Sequence, residues 1–152
     1  MGGPEVSPES PDPRRTLLLD THVLLWAMSN QPWLGRQTTR TIDMASHQNR
    51  LVVSAITPWE IGLLESKKRI TLQKEIGIWI REALAQPGLS LIPLEPEIAV
   101  ASTRLPFDMH PDPADRILVA TARHLGATLV TADKALLGLA KKGYIRAMDA
   151  AR

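Results

Sequence analysis

The sequence predicts an α/β fold, a mostly parallel sheet of roughly five strands with helices on both faces. Three observations predict it. Short apolar runs alternate along the chain with longer segments of helical periodicity. Such alternation implies right-handed crossover units, and hence parallel strands covered on both sides. The length of 152 residues suits one hydrophobic core better than two, and 44% hydrophobic against 22% charged residues suits a packed interior rather than a disordered chain.

Taken in order, residues 1–15 carry Pro4, Pro8, Pro11 and Pro13 among polar neighbours, with neither helical nor strand periodicity. A disordered tail is expected there, followed by a single domain over 16–152. Leu17, Leu18 and Leu19 form an apolar run ending at Asp20, the pattern of a strand buried on both faces. Beyond Asp20 only a turn from Val23 to Trp26 is expected. A helix follows over 35–47, then a strand at Leu51, Val52 and Val53.

Thr57-Pro58-Trp59-Glu60 has the form of a capping box, with Thr57 as N-cap and proline at the first helical position of a helix over 58–68. Further helices are expected over 74–85, 95–103 and 113–125, the last capped by Asp112, with a short one from Lys134. Leu89 to Ile92 and Ala127 to Val130 read as strands, the second introduced by Gly126, and a fifth strand falls between Tyr144 and Met148. There is no internal repeat.

Cysteine is absent, which excludes disulfides, thiolate metal sites and thiol nucleophiles. Any metal site must therefore use oxygen or imidazole ligands, and oxygen ligands favour hard cations such as Mg²⁺ or Mn²⁺. The sequence opens without the basic start and apolar run of a signal peptide, and no stretch is long enough to span a bilayer. A cytoplasmic protein is the expectation. A net charge of +2 says little about nucleic acid. Ser54 lacks a nucleophile elbow, and no Gly-rich phosphate loop occurs, which sets aside serine hydrolases and P-loop or Rossmann binders.

Open parallel sheets bind ligands beyond the carboxyl ends of their strands. Here those exits carry acids. Asp20 closes the first strand, Asp133 leaves the fourth, Glu60 opens the helix after the second, and Asp115 sits in the first turn of the helix leading into the fourth. Brought together, four carboxylates repel one another and raise each other's pKa values unless a divalent cation compensates the charge.

Each acid also has a structural explanation at a helix N-terminus, where capping and the helix dipole favour anions. His22, His47, His110 and His124 show no ligand spacing and read as surface or partly buried imidazoles. Trp26, Trp33, Trp59 and Trp79 read as core aromatics rather than base-stacking residues. The apolar segments 61–64 and 76–80 exceed the needs of one core and suggest a surface for a protein partner.

Four stretches taken together, Leu17-Leu18-Leu19-Asp20-Thr21-His22, Ser54-Ala55-Ile56-Thr57-Pro58-Trp59-Glu60, His110-Pro111-Asp112-Pro113-Ala114-Asp115-Arg116 and Leu129-Val130-Thr131-Ala132-Asp133, resemble PIN-domain ribonucleases of the VapC toxin type, in that family's order. The resemblance runs from Thr16 to about Met148. It implies a PIN-like three-layer α/β/α fold, Mg²⁺- or Mn²⁺-dependent cleavage of RNA, homodimerisation, and inhibition by a small VapB-like antitoxin.

Position by position, the resemblance places the acidic site on Asp20, Glu60, Asp115 and Asp133. It matches Thr131 to a supporting hydroxyl and Arg116 to a basic residue beside the third acid, a candidate phosphate contact. Lys67, Lys68, Arg69, Lys141 and Lys142 are more distant candidates, with solvated helix faces as the plainer reading. The chain departs from the family at Ala114, where an aromatic is frequent, and at Lys68, where glycine is common. Two other readings stand beside the nuclease: a PIN-fold module that only binds RNA or protein, and a metal-dependent enzyme acting on DNA or another phosphate ester.

Overall fold

The structure, a computed structural model, describes residues 14–152. The elements run β1 (Leu17–Leu19), α1 (Thr21–Met28), α2 (Arg36–His47), β2 (Leu51–Ser54), α3 (Ile56–Ser66), α4 (Ile76–Leu84), β3 (Leu89–Ile92), α5 (Pro96–Thr103), α6 (Pro113–Leu125), β4 (Thr128–Thr131), α7 (Lys134–Lys141) and β5 (Arg146–Asp149). The five strands form one sheet in the order β3-β2-β1-β4-β5, and every pairing is parallel.

Alternation along the buried strands divides the core. Leu17, Leu19, Leu51, Val53 and Val130 face a cluster built with α1, α2, α3 and α4, while Leu18, Val52 and Leu129 face one built with α6 and α7. These are the two helical layers expected from the sequence. The chain runs outward in both directions from β1 and β4, so the strand order reverses between them, and ligands of open parallel sheets bind at such a reversal.

Several boundaries differ from expectation, each for a local reason. The segment after Asp20 is an eight-residue helix rather than a turn. Its Val23, Leu24 and Leu25 are buried in succession, and His22 is its one exposed residue, so it lacks the polar stripe that reveals helical periodicity. The expected capping box at Thr57 does not form. Instead α3 begins at Ile56, whose amide donates to Ser54 Oγ at 3.1 Å, and Ala55 occupies the N-cap with no side-chain bond. Pro58 then falls in the first turn, where a missing N–H removes no intrahelical bond.

Of the expected tail, residues 1–13 lie outside the described residues, but Arg15 donates through its guanidinium to Gly126 O at 2.9 Å and its carbonyl accepts from Arg50. Gly126 closes α6 in the left-handed conformation, φ 61°. The segments expected to serve a partner mostly pack inward: Ile61 is fully buried, and Leu64, Ile76, Trp79 and Ile80 lie against the core, leaving Ile78 exposed. Among the described residues no helix is long and apolar enough to cross a membrane.

Candidate active site

The C-terminal ends of β1 and β4 lie side by side, with Leu19 paired to Val130, so Asp20 and Asp133 leave the sheet on either side of the strand-order reversal. Asp20 is buried and held in place from three sides. Its amide donates to Val130 O at 3.0 Å, its Oδ1 accepts from the Thr21 amide at 2.7 Å, and its Oδ2 accepts from Thr131 Oγ1 at 2.6 Å. The Thr131 hydroxyl in turn accepts from the Asp133 amide at 3.0 Å. One buried threonine therefore fixes the spacing of two acids.

A second threonine does the same on the other side. Thr21, whose amide holds Asp20, donates its hydroxyl to Glu60 Oε1 at 2.5 Å and lies 3.4 Å from the Thr57 hydroxyl. Glu60 is thus turned toward α1 rather than back toward the Thr57 amide, and it caps no helix. The signal for Thr21 lay only in its adjacency to Asp20, and sequence reasoning gave it no role.

Asp115 enters from α6. Asp112 is the N-cap, accepting from the Asp115 amide at 3.1 Å, and Asp115 Oδ2 lies 3.3 Å from His110 Nε2. Asp133 keeps both of its readings. Its Oδ1 accepts from the Ala135 and Leu136 amides and caps α7, and its Oδ2 makes no hydrogen bond among the described residues.

Asp20, Glu60, Asp115 and Asp133 line one pocket of about 230 Å³ together with His22, Trp26 and Ala132. Four segments far apart in sequence converge as expected. Thr131 lies beneath the pocket as the link between two of its acids. Arg116, expected beside the third acid, is absent from the lining. Its Nε donates to Ser102 O at 2.8 Å and a terminal nitrogen lies 3.4 Å from Met109 O, so the guanidinium ties α6 to α5 and to the intervening loop. Trp33 and Trp59, expected in the core, are 56% and 54% exposed.

The electrostatics of the pocket are unfavourable as it stands. Burial pushes Asp115 up to about 7, with further rises from Asp112, Asp20, Asp133 and Glu60. Burial also raises Asp20, against the lowering effect of its bonds to Thr131 and Thr21. Glu60 is raised by burial and by Asp20 and Asp112, against its bond from Thr21. Among the described residues no Lys or Arg lines the pocket to compensate.

Such an acid set fits a hard divalent cation, which supplies the missing charge. Among the described residues no three His, Asp or Glu side chains form a ready-made ligand cage.

The profile of the PIN domain family matches residues 17–142. The chain belongs to the PIN-domain family. Ribonuclease VapC22 of Mycobacterium tuberculosis is 33% identical to it over 121 residues, covering 80% of this chain and 89% of that relative. Among solved structures, the PIN fold seen here is similar to VapBC2 from Rickettsia felis bound to a DNA fragment from its promoter, with TM-score 0.61 and 14% identity over 87% of this chain and 96% of that one. FitAcB from Neisseria gonorrhoeae gives TM-score 0.58 and 19% identity over 88% and 97%. A toxin–antitoxin complex from Klebsiella pneumoniae gives 0.55 and 23% over 82% and 92%. At these identities the structural likeness concerns the fold.

Proposed function

We propose that this PIN-domain protein is a divalent-metal-dependent endoribonuclease and the toxin of a cytoplasmic toxin–antitoxin pair. The observation that carries the proposal is the convergence of Asp20, Glu60, Asp115 and Asp133 on one pocket at the strand-order reversal. The ribonuclease relative supports RNA as the substrate. The solved toxin–antitoxin complex supports a small inhibitory partner. A homodimer is the proposed resting assembly of the toxin.

In this reading the four carboxylates hold Mg²⁺ or Mn²⁺. When bound, the cation supplies charge neutralisation at phosphate oxygens and a water acidic enough to lose its proton near neutral pH. Asp20 is the fixed point, because both of its oxygens are already oriented by Thr21 and Thr131. Glu60 and Asp133 are set relative to it through those same threonines, so the acids keep their spacing when charge is added or withdrawn. Asp115, held well above the ordinary carboxylate range, is the acid able to exchange a proton near neutral pH in the metal-free protein. Arg116 serves by fixing α6, and hence Asp115, rather than by touching a phosphate.

The test is cleavage of single-stranded and structured RNAs by purified protein with Mg²⁺ or Mn²⁺, against the same protein in excess EDTA and against Asp20→Asn. Cleavage that stops in EDTA and in the variant is expected. Equal cleavage in EDTA refutes metal dependence, and RNA binding without cleavage under every metal condition would favour a binding module instead.

A further inference from the structure

Trp33 should be packed away on ordinary grounds, yet it is 56% exposed, against the ring of Trp26 that lines the acidic pocket. Its placement is held by the chain. Asn30 adopts the left-handed conformation, φ 51°, and turns residues 29–35 back over the end of α1, where the Gln31 amide donates to Trp26 O at 3.2 Å. The far end of the turn is pinned by Leu34, which packs against the core, and by the Gly35 amide, which donates to Ala150 O at 2.9 Å. A loop that packs Leu34 against the core and presents Trp33 leaves a large apolar ring open to solvent.

That ring ends a continuous track. Trp33 and Trp26 lie 5.8 Å apart between centroids at an interplanar angle of 48°, and Trp26 and His22 lie 6.0 Å apart at 50°. Trp26 and His22 both line the pocket that holds the four acids. The track therefore leads from the carboxylates outward to an open aromatic face.

A single strand of RNA entering this pocket meets, around the cation the acids would hold, no Lys or Arg among the described lining residues, so beyond that cation its affinity there cannot rest on phosphate–cation contacts with the lining. Stacking of bases on aromatic faces is the contact that tolerates such a field, because nucleobases are uncharged.

Resting on the ribonuclease reading, we propose that His22, Trp26 and Trp33 form a nucleobase-stacking subsite that takes unpaired bases on one side of the scissile phosphate, with Trp33 as its outer platform. The subsite then favours unpaired over duplexed RNA. Bases within a helix already stack on their neighbours and cannot offer a face to Trp33 without being splayed out.

The experiment measures KM and kcat for a short single-stranded RNA that the parent cleaves, and for copies carrying one abasic nucleotide at each position flanking the cut. The parent, Trp33→Ala and Trp33→Phe are compared, with circular dichroism as the check on folding. Trp33→Ala is expected to raise KM on the order of 5- to 100-fold, the range of one base–aromatic stack, with kcat changed less than about 3-fold. Trp33→Phe should recover most of the loss. One abasic position should penalise the parent by a similar factor and add nothing in Trp33→Ala.

An unchanged KM in Trp33→Ala, or abasic penalties equal in both proteins, overturns the subsite while leaving the ribonuclease reading intact. Trp33 then belongs to a surface for a protein partner. If Trp33→Ala fails to fold, the parent decides alone, and the absence of any flanking base worth about 5-fold overturns the proposal. A parent that cleaves none of these RNAs with Mg²⁺ or Mn²⁺ overturns both readings.

Discussion

Removing one acid from the pocket should stabilise the metal-free protein, and Asp115→Asn is the change that tests this most directly. The Asp115 carboxyl is raised from 3.8 to about 7 by burial and by four neighbouring acids. A group raised in this way binds its proton more tightly folded than unfolded, so it adds no penalty below the unfolded pKa, and stability falls as pH climbs from 3.8 to about 7. Taken whole, the penalty above that window is ~4 kcal/mol. The side chain is partly open to solvent, with 17% of its surface exposed, and screening reduces the figure to ~1–2 kcal/mol. Against this gain stands the loss of an anion in the first turn of α6, worth ~0.3–1 kcal/mol. The Asp112 cap is untouched, because it binds the Asp115 amide.

The penalty is the larger quantity, so Asp115→Asn in EDTA at pH 8 should melt ~2–5 °C above the parent. Near pH 4 the two should melt almost together. Added Mg²⁺ should raise the parent more than the variant, since ligand binding stabilises the state that binds it. The assay is a pair of thermal melts at each pH, with and without Mg²⁺. A variant that melts below the parent at pH 8 in EDTA, or by the same margin at both pH values, refutes the account of a pocket strained by uncompensated charge.

Three further substitutions separate the roles of the neighbouring residues. Thr131→Val leaves Asp20 without a short charge-assisted bond and should lower stability by ~1.5–3 kcal/mol together with cleavage, whereas Thr131→Ser should restore most of both, as measured by urea melts and an RNA cleavage assay. Glu60→Gln keeps an acceptor for Thr21 and removes a repelled charge, so in EDTA it should melt no lower than the parent while cleavage collapses; a loss of ~0.3–1 kcal/mol with cleavage intact would restore the capping reading. Arg116→Ala should cost ~2–3 kcal/mol by freeing the Ser102 and Met109 carbonyls, with the salt dependence of RNA binding unchanged. A stable variant whose binding slope falls by about one would instead make Arg116 a phosphate contact.

Strands β1 and β2 were legible because a strand buried on both faces carries mostly apolar residues, so Leu17–Leu19 and Leu51 to Val53 read as unbroken apolar runs. Helix α1 was hidden by related physics, since three consecutive buried residues, Val23 to Leu25, blur the apolar stripe by which a helix is recognised. The acids were legible as a set but ambiguous singly, because a carboxylate at a helix start serves the dipole and a metal equally well. The structure removes the capping box for Glu60, which accepts from Thr21, and leaves Asp133 with both readings, one oxygen on α7 and the other without a hydrogen bond among the described residues. The direction of Arg116 was not legible, because adjacency to Asp115 in sequence is not adjacency in direction: successive helical residues point about 100° apart, and the guanidinium follows its own face to α5.

The two threonines show how far the site could be read, since only the resemblance marked Thr131 and nothing marked Thr21. An acid is visible in a sequence because its charge demands a reason, whereas a buried hydroxyl demands none. Yet Thr21 and Thr131 set the distances on which the acids depend, each joining one residue of a neighbouring segment to Asp20. Removing either hydroxyl subtracts no charge from the pocket, so any loss of cleavage must come from spacing. The ordering of effects then follows. Variants that neutralise Glu60 or Asp115 should gain or hold stability as they lose activity, because like charges are removed. Variants of Thr131 should lose both together, because a bond that holds the charges in place is removed. A Thr131→Val protein that melts like the parent but no longer cleaves would break this pairing, and would place Thr131 at the reacting atoms rather than beneath the acids that surround them.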